Sequence, residues 1–124
     1  MLDVLIVDDS AAIRKILQRV LRQTDIPIGK VMEAGDGVEA LAALKDEKVG
    51  LILSDINMPN MDGLELLRKL KASPEWKDLP VVMVSTEGSQ NKVLEAVGLG
   101  AAGYVRKPFT ADQIKEKLTA ILEA

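Results

Sequence analysis

The 124-residue sequence has no cysteine and no histidine, and its aromatic residues are one Trp, one Tyr and one Phe. Without cysteine the chain cannot form disulfides, thiolate zinc sites or iron–sulfur clusters, and it has no thiol nucleophile. Without histidine it cannot build a Ser-His-Asp triad or a histidine-ligated metal. Any metal site must therefore rely on oxygen ligands, and aliphatic side chains must form most of the core.

The chain length is close to the usual size of one domain, so we predict a single domain over residues 1–124. An apolar fraction of 48% is sufficient for a hydrophobic core. The formal charge of −3 argues against nucleic acid as the main partner. No basic leader precedes the first apolar run, and the longest uncharged stretch, residues 96–105, is far shorter than the about 20 residues of a membrane helix. We expect a soluble, cytoplasmic protein without a membrane partner.

Short apolar runs alternate with stretches of helical periodicity along the whole chain. The runs lie at residues 4–7, 31–32, 51–53, 81–84 and 104–105. An apolar stripe at helical spacing follows each run, and the weakest stripe is the fourth, formed by Val93, Ala96 and Val97. Helix starts are predicted at the N-cap residues Ser10, Asp36, Asp62, Ser89 and Thr110. Strands that alternate with helices predict an α/β fold with a parallel sheet covered on both faces.

Polar and charged side chains follow the predicted strands at the points where they end. Asp8 and Asp9 follow the first run, Asp55 follows the third, and Ser85 and Lys107 follow the fourth and fifth. Ligands of open parallel sheets bind beyond the carboxyl ends of the strands. These five residues therefore converge in one cleft if strands one, three, four and five are neighbours.

The three acidic residues would place about three negative charges in that cleft. Two like charges 4 Å apart repel by roughly 4 kcal/mol at a surface-like dielectric. Such a cluster either raises carboxyl pKa values or binds a cation. The ligands are all hard oxygens, which favours Mg²⁺, Mn²⁺ or Ca²⁺, and Mg²⁺ fits best because it needs few protein oxygens and retains several waters. The alternative is that Asp8 and Asp9 only cap the helix that begins near Ser10.

Asp55, Ser85 and Lys107 each permit a structural and a functional interpretation. Asp55 is a metal ligand, a nucleophile that forms an acyl phosphate, or a turn-capping residue. Ser85 either caps the next helix or hydrogen-bonds a phosphoryl oxygen. Thr86 is an equally good candidate for the cap. Lys107 offsets the carboxylate charge and can stabilise a transferring phosphoryl group, and Pro108 after it permits a cis peptide bond.

The order of these residues resembles the receiver domain of response regulators. The supporting motifs are LIVDDS at residues 5–10, EAGDG at 33–37, DINMPNMDGL at 55–64 and GYVRKPF at 103–109. The resemblance covers essentially the whole chain, and it is specific because each motif follows its own predicted strand. It implies a flavodoxin-like α/β fold, a (βα)5 three-layer sandwich whose parallel sheet has the order 2-1-3-4-5, an order known from this family.

The resemblance also implies a role for the strand-end residues. Asp55 matches the phosphoacceptor of the family. Asp8 and Asp9 match the acidic pair that positions Mg²⁺, with Asp55 and the backbone carbonyl of Asn57 as further ligands. Lys107 matches the lysine that contacts the phosphoryl group.

Ser85 and Tyr104 match the residues that move when a receiver domain is activated. The implied phosphodonor is a sensor histidine kinase, a histidine phosphotransfer domain or a small molecule. The face formed by the fourth helix, fifth strand and fifth helix then changes its affinity for a flagellar switch protein or another effector. The resemblance thus implies a signalling switch rather than an enzyme. The chain length leaves no room for an output domain after the fifth helix, so we expect a monomer that acts through another protein.

The most similar type of receiver is the stand-alone, CheY-like chemotaxis regulator. Asn57 and Glu87 match this type. The alternative is a stand-alone phosphorelay shuttle or kinase regulator outside motility. Two residues depart from the pattern: Thr86 stands where many relatives have Ala or Gly, and Ile56 stands where a Trp is found. We expect the β-branched Thr86 to narrow access to Asp55.

Two further features bear on how this chain would behave. The only Trp, Trp76, lies in the loop before the fourth predicted strand, so its fluorescence is expected to report Mg²⁺ poorly. Residues 97–100 make the end of the fourth helix glycine-rich, and glycine in a helix interior costs about 1 kcal/mol relative to alanine. The end of that helix is therefore expected to be soft.

Three rival functions fit these residues less well. A haloacid-dehalogenase phosphatase would carry Asp-x-Asp after its first strand, where this chain has Asp8-Asp9. A flavodoxin-type FMN carrier would need a phosphate loop at that place, and the two carboxylates would repel the phosphate. A pseudo-receiver that only binds partners would lack Asp55, Lys107 or the acidic pair.

Overall fold

The computed structural model describes residues 1–86 and 90–123, and of Gln90 only the backbone. Strands and helices alternate along this part of the chain. The strands are β1 Leu2–Val7, β2 Ile28–Ala34, β3 Leu51–Ser54, β4 Val81–Ser85 and β5 Gly103–Arg106. The helices are α1 Ala11–Arg22, α2 Gly37–Asp46, α3 Gly63–Lys71, α4 Gln90–Gly98 and α5 Ala111–Leu122.

The strands form one parallel sheet in the order β2-β1-β3-β4-β5. This confirms the predicted α/β fold and its strand order. Val7 at the end of β1 pairs with Ala34 of β2 and with Ser54 of β3, and Ser85 of β4 pairs with Arg106 of β5. The carboxyl ends of β1, β2 and β3 are therefore level, whereas β4 and β5 extend further, because Ser54 pairs with Met83 rather than with Ser85. The residues that follow the five strands lie along one edge of the sheet.

Apolar side chains of the sheet point to both faces and fill two cores. Leu5 and Val7 face the core shared with α2, α3 and α4, whereas Val4 and Ile6 face the core shared with α1 and α5. A strand buried on both faces reads as a continuous apolar run rather than as an alternating one. The result is the predicted three-layer sandwich, with a rigid sheet that presents its polar edge to one side.

Side-chain caps fix the starts of four helices at the predicted residues. Ser10, Asp36, Asp62 and Thr110 each accept a hydrogen bond from the backbone N–H three residues later. Thr110 also forms a capping box with Gln113. The N-cap predicted at Ser89 lies outside the described residues.

Helix α4 differs from the prediction in the face that it buries. Ala96 is 1% exposed, but Val97 is 59% exposed and Leu94 is 67% exposed. The stripe predicted to include Val97 is therefore wrong at that residue, because α4 turns Ala96 rather than Val97 to the core. An exposed ion pair between Glu95 and Arg68 of α3, with N and O 3.1 Å apart, also links the helix to its neighbour.

The sole tryptophan lies at the edge of the sheet opposite to the polar strand ends. Trp76 is partly buried and lines a cavity of about 320 Å³ together with Leu44, Val49 and Leu79. These residues belong to the end of α2 and to the loops that precede β3 and β4.

No helix in the described ranges is long and apolar enough to cross a membrane.

Candidate metal centre

Parallel register brings the first and third strand ends together. The backbone N–H of Asp8 donates to the carbonyl of Ala34 at 3.0 Å, and the N–H of Asp55 donates to the carbonyl of Val7 at 2.8 Å. Both aspartates are thus tied to the sheet by their own backbone. Together with Asp9 they bring one carboxylate oxygen each to within 4.8 Å of one another.

The three carboxylates differ in exposure. Asp8 is 1% exposed and Asp55 is 9% exposed, whereas Asp9 is open to solvent. A cluster of this kind lacks the soft sulfur or imidazole ligands that select zinc or copper. Few protein oxygens with an open side toward solvent suit Mg²⁺, which retains several waters when it binds to proteins. The residues present therefore fit a hard divalent cation.

Lys107 supplies the positive charge on the inner side of the cluster. Its Nζ atom lies 2.8 Å from Oδ2 of Asp8 and 3.5 Å from Oδ2 of Asp55, and its side chain is only 11% exposed. The backbone N–H of Lys107 donates to the carbonyl of Ser85 at 3.0 Å, which anchors the residue beyond the end of β5. The Lys107–Pro108 peptide bond is cis, the isomer that the sequence permits.

The loop after Asp55 is packed tightly against the strand end. Oδ1 of Asp55 accepts a hydrogen bond from the N–H of Ile56 at 2.7 Å, and the N–H of Gly63 donates to the carbonyl of Ile56 at 2.7 Å. A β-carbon at Gly63 would collide with the carbonyl oxygen of Asp55 and with the methyl group of Met83. Gly63 is thus a packing requirement that the sequence analysis did not identify.

Ser85 at the end of β4 is in contact with Tyr104 in the neighbouring strand β5. Ser85 is fully buried, and its carbonyl accepts a hydrogen bond from the Tyr104 hydroxyl at 3.3 Å. Tyr104 is partly buried and lines a groove of about 390 Å³ along β5 and α5, together with Arg106 and Lys117. The structure thus joins these two residues by a hydrogen bond, and their roles in switching stay predictions.

Asn57 and Thr86 stand on the outer side of the cleft. Asn57 is exposed, and its Oδ1 atom accepts a hydrogen bond from Nζ of Lys92 on α4 at 3.1 Å. The role of the Asn57 backbone carbonyl as a metal ligand stays a prediction. Thr86 is exposed and lines an apolar groove of about 350 Å³ with Ile13 and Lys107. Glu87, which matches the chemotaxis type in the sequence analysis, lies outside the described residues.

A long-range hydrogen bond that the sequence analysis missed holds the loop after Asp55. The side-chain amide of Asn60 donates to Oδ2 of Asp36 at 2.7 Å, and Oδ1 of Asp36 accepts the N–H of Glu39 at 2.9 Å. The hydrogen bond from Asn60, with a second from the Glu39 backbone, holds the pKa of Asp36 below its ordinary value. Asn60 has a φ of +64°, a left-handed conformation that asparagine tolerates better than most residues. The position of the loop thus depends on the start of α2.

A second missed network involves Arg14 in the first turns of α1. Its Nη1 atom donates to the backbone carbonyl of Asp8 at 2.7 Å, and its Nε atom donates to Glu33 of β2 at 2.9 Å. Partial burial acts to raise the pKa of Glu33, but hydrogen bonds from Arg14 and Lys15 outweigh it and hold the pKa below its usual value. Local sequence patterns carry no signal for such a link.

Comparisons with known proteins agree with this geometry over nearly the whole chain. The response regulator receiver domain family matches residues 4–119. The chemotaxis protein CheY-3 of Vibrio cholerae is 42% identical over 120 residues, which cover 97% of this chain and 91% of that protein. The structure of the chemotaxis response regulator CheY4 of Vibrio cholerae has a TM-score of 0.85 at 35% identity and covers 98% of both chains. The Mn²⁺-bound form of the response regulator Rcp1 has a TM-score of 0.81 at 28% identity, covering 98% of this chain and 91% of that chain.

Proposed function

The chain belongs to the response regulator receiver domain family, and from this membership and the geometry of the cleft we propose that Asp55 accepts a phosphoryl group from a sensor histidine kinase. The observation that carries the proposal is the convergence of Asp8, Asp9 and Asp55 within 4.8 Å, with Lys107 bonded to Asp8 and close to Asp55. Acidic ligands for a divalent cation, a carboxylate nucleophile and a cation for the phosphoryl oxygens are the components that phosphoryl transfer requires.

The transfer step uses the carboxylate of Asp55 as the nucleophile. One of its oxygens forms a bond to phosphorus while the P–N bond of the donor phosphohistidine breaks, and the electron pair of that bond returns to the imidazole nitrogen. The ammonium group of Lys107 lies close enough to Asp55 to contact an oxygen of the arriving phosphoryl group. The Ser85 hydroxyl, at the end of the neighbouring strand, is proposed to hydrogen-bond another. Catalysis is then mainly positioning and electrostatic stabilisation.

We propose Mg²⁺ as the resident cation, held by Asp8, Asp9, Asp55 and the backbone carbonyl of Asn57. When bound, the ion supplies positive charge to the phosphoryl oxygens. The all-oxygen donor set supports this choice. The related response regulator Rcp1 is described in a Mn²⁺-bound form, and Mn²⁺ shares the preference of Mg²⁺ for carboxylate, carbonyl and water ligands.

We propose that phosphorylation changes the partner affinity of the face formed by α4, β5 and α5. A new dianionic group at Asp55 would draw Ser85 and Tyr104 toward the cleft and shift the population between two states of this face. The exposed Leu94 and Val97 on α4 supply apolar contact area for a partner. Since the relatives CheY-3 and CheY4 are chemotaxis proteins, the favoured effector is a flagellar switch protein.

A phosphorelay shuttle or a kinase regulator outside motility is the second candidate. The similarity to Rcp1, which is described only as a response regulator, supports keeping this alternative. Titration of the phosphorylated protein with a flagellar switch peptide would distinguish the two. Tightened binding upon phosphorylation favours chemotaxis, whereas rapid phosphoryl exchange with a histidine phosphotransfer domain and no peptide binding favours the relay.

We further propose that the protein is a cytoplasmic monomer that acts through other proteins. Its chemistry is limited to its own phosphorylation and dephosphorylation, so it is a switch rather than an enzyme that turns over a substrate. A mass from light scattering that rises with concentration would contradict the monomer.

Intact mass spectrometry after incubation with acetyl phosphate tests the proposed acceptor. We expect one added phosphoryl group on the wild type in the presence of Mg²⁺ and none after chelation. The substitution Asp55→Asn should abolish the adduct, whereas the control Asp78→Asn, in the exposed loop before β4, should retain it. The absence of an adduct on the wild type under conditions that preserve acyl phosphates, or an adduct that persists in Asp55→Asn, would overturn the proposal.

A further inference from the structure

Arg14 lies outside the predicted site, and its side chain is hydrogen-bonded directly to a residue of that site. It lies in the first turns of α1, and its guanidinium reaches back to the end of β1. Nη1 donates to the carbonyl oxygen of Asp8 at 2.7 Å, while Nε donates to Oε1 of Glu33 at 2.9 Å. The side chains of Arg14 and Glu33 are only 20% and 26% exposed. Both donors act from one rigid planar group, which fixes their relative directions.

The carbonyl of Asp8 lies one residue beyond the last strand pairs of β1. Val7 is the last residue of β1 paired with β2 and β3, so Asp8 takes the donor for its carbonyl from α1 instead. Its other polar groups are also held: the N–H by the carbonyl of Ala34, Oδ1 by the N–H of Ser10 and Oδ2 by Lys107. Asp8 is therefore fixed on every side, and Arg14 supplies one of the four contacts.

Fixing the carbonyl of Asp8 also fixes the start of the next residue. The peptide unit is planar, so the Asp8 carbonyl and the N–H and Cα of Asp9 move as one body. Asp9 is exposed, unlike Asp8 and Asp55. The orientation of its carboxylate toward the other two thus depends on the peptide plane that Arg14 holds.

We infer that Arg14 is a positioning residue for the metal site, which acts on Asp9 through the carbonyl of Asp8 and is itself held by Glu33. The inference rests on the proposed function, since it concerns the same cation site. Arg14 binds neither the cation nor the phosphoryl group. Outer contacts of this kind typically change metal affinity by 10- to 100-fold when they are removed.

Charge and position make opposite predictions for this residue. If the guanidinium acted only through its positive charge, its removal would make the acidic cleft more attractive and tighten Mg²⁺ binding. If it positions Asp9, its removal weakens Mg²⁺ binding despite the more negative cleft. The direction of the change therefore separates the two roles.

Calorimetric titration of the unphosphorylated protein with MgCl₂ tests the inference. We expect Arg14→Ala to bind Mg²⁺ about tenfold more weakly than the wild type. Arg14→Lys keeps the charge but has no planar fork to bridge Asp8 and Glu33, so its affinity should fall between the two. Arg19→Ala removes an exposed cation from the same helix and should leave the affinity within about twofold of the wild type.

A purely structural contribution is separated by urea unfolding in the presence of EDTA. Loss of stability alone would lower the unfolding midpoint of Arg14→Ala but leave the Mg²⁺ dissociation constant of the folded protein unchanged, and that result would overturn the inference. Tighter binding in Arg14→Ala, or wild-type affinity in Arg14→Lys, would also overturn it.

The titration is independent of the phosphorylation assay. A wild type that binds Mg²⁺ but accepts no phosphoryl group would contradict the proposed function, while the affinities of the Arg14 variants would still decide the present inference. A wild type that binds no Mg²⁺ would overturn both.

Discussion

The ammonium nitrogen of Lys107 lies 2.8 Å from Oδ2 of Asp8, although 99 residues separate the two in the sequence. Their side chains are 11% and 2% exposed, so the contact is a charge-assisted hydrogen bond with little competition from solvent. The lysine thus neutralises part of the acidic cluster in the absence of a cation. It is also the group that we propose to contact the phosphoryl oxygens, and both functions can be tested with one substitution.

We expect Lys107→Ala to bind Mg²⁺ more tightly than the wild type and to be phosphorylated more slowly. Removal of the ammonium leaves Asp8 and Asp55 without a competing cation, which favours the metal. The same change removes charge stabilisation from the transfer step, and loss of one such donor slows comparable reactions by about a hundredfold. Calorimetry with MgCl₂ and the rate of adduct formation from acetyl phosphate measure the two effects.

Lys115→Ala is the matched control for that substitution. Lys115 is half-exposed on α5 and pairs only loosely with Asp25 at 3.6 Å, so both quantities should stay at wild-type values. A wild-type rate of adduct formation in Lys107→Ala would contradict the role assigned to Lys107.

The contribution of Asp36 to stability should depend on pH. The hydrogen bond from Asn60 lowers the pKa of Asp36 from its ordinary value of 3.8. The ionised carboxylate therefore stabilises the fold fully at pH values above about 4, and this stabilisation is lost as the pH falls through the lower pKa of the folded state. We expect the unfolding free energies of the wild type and Asp36→Asn to differ at pH 6 and to converge toward pH 3 in urea titrations.

Asn60→Ala provides the complementary test of the same hydrogen bond, since it removes the donor and leaves Asp36 in place. Its deficit in stability relative to the wild type should shrink over the same pH range. If each variant is less stable than the wild type by the same amount at pH 6 and at pH 3, the ionised form of Asp36 is not the stabilising one.

Thr86 should limit the access of small phosphodonors to Asp55. It directly follows the buried Ser85 and lines the same groove as Lys107. We expect Thr86→Ala to accelerate phosphorylation by acetyl phosphate, because the smaller side chain widens the approach. Thr86→Ser, which keeps the hydroxyl and removes the methyl group, should behave like Thr86→Ala if bulk is the cause. Unchanged rates of both phosphorylation and hydrolysis in Thr86→Ala would refute this role.

Alanine at two helical glycines should have opposite effects on stability. A β-carbon at Gly63 meets backbone atoms of Asp55 and Ile56, which cannot move aside cheaply, whereas a β-carbon at Gly98 has no atom within 4 Å. Gly63→Ala should therefore lower the free energy of unfolding by about 1–3 kcal/mol. Gly98→Ala should raise it by about 0.5–1 kcal/mol, because alanine is the better helix former. Equal effects of the two substitutions in urea unfolding would contradict the packing argument.

The strand ends of this protein are predictable from sequence because their pattern is local. Asp8 and Asp55 each end an apolar run, and a parallel sheet with central strands aligns such ends. The link from Asn60 to Asp36 spans 24 residues, and that from Arg14 to Glu33 spans 19. Neither hydrogen bond has a local signature in the sequence. The first depends on how the start of α2 meets the loop after β3, and the second on how the first turns of α1 meet β2.

The exposure of Val97 on α4 differs from the sequence prediction for a related reason. Periodicity places Val97 on the same stripe as Ala96, but it cannot say how wide a stripe the neighbouring elements cover. The contact with the core is narrow there: among the side chains of α4 that the structure describes, only Ala96 is fully buried, Val93 is partly buried, and Val97 remains 59% exposed. Partner-binding faces are places where such an exception is expected, because their apolar residues are reserved for another molecule.

Trp76 gives this protein a fluorescence signal for folding that is separate from the cation site. It is the only tryptophan, and it is packed among Leu44, Val49 and Leu79 at the edge of the sheet opposite to the carboxylates. Its emission should therefore follow the loss of the whole fold while remaining insensitive to the filling of the cation site. Every substitution in the cleft can thus be checked for folding by fluorescence in the same cuvette in which metal is added, without interference between the two signals.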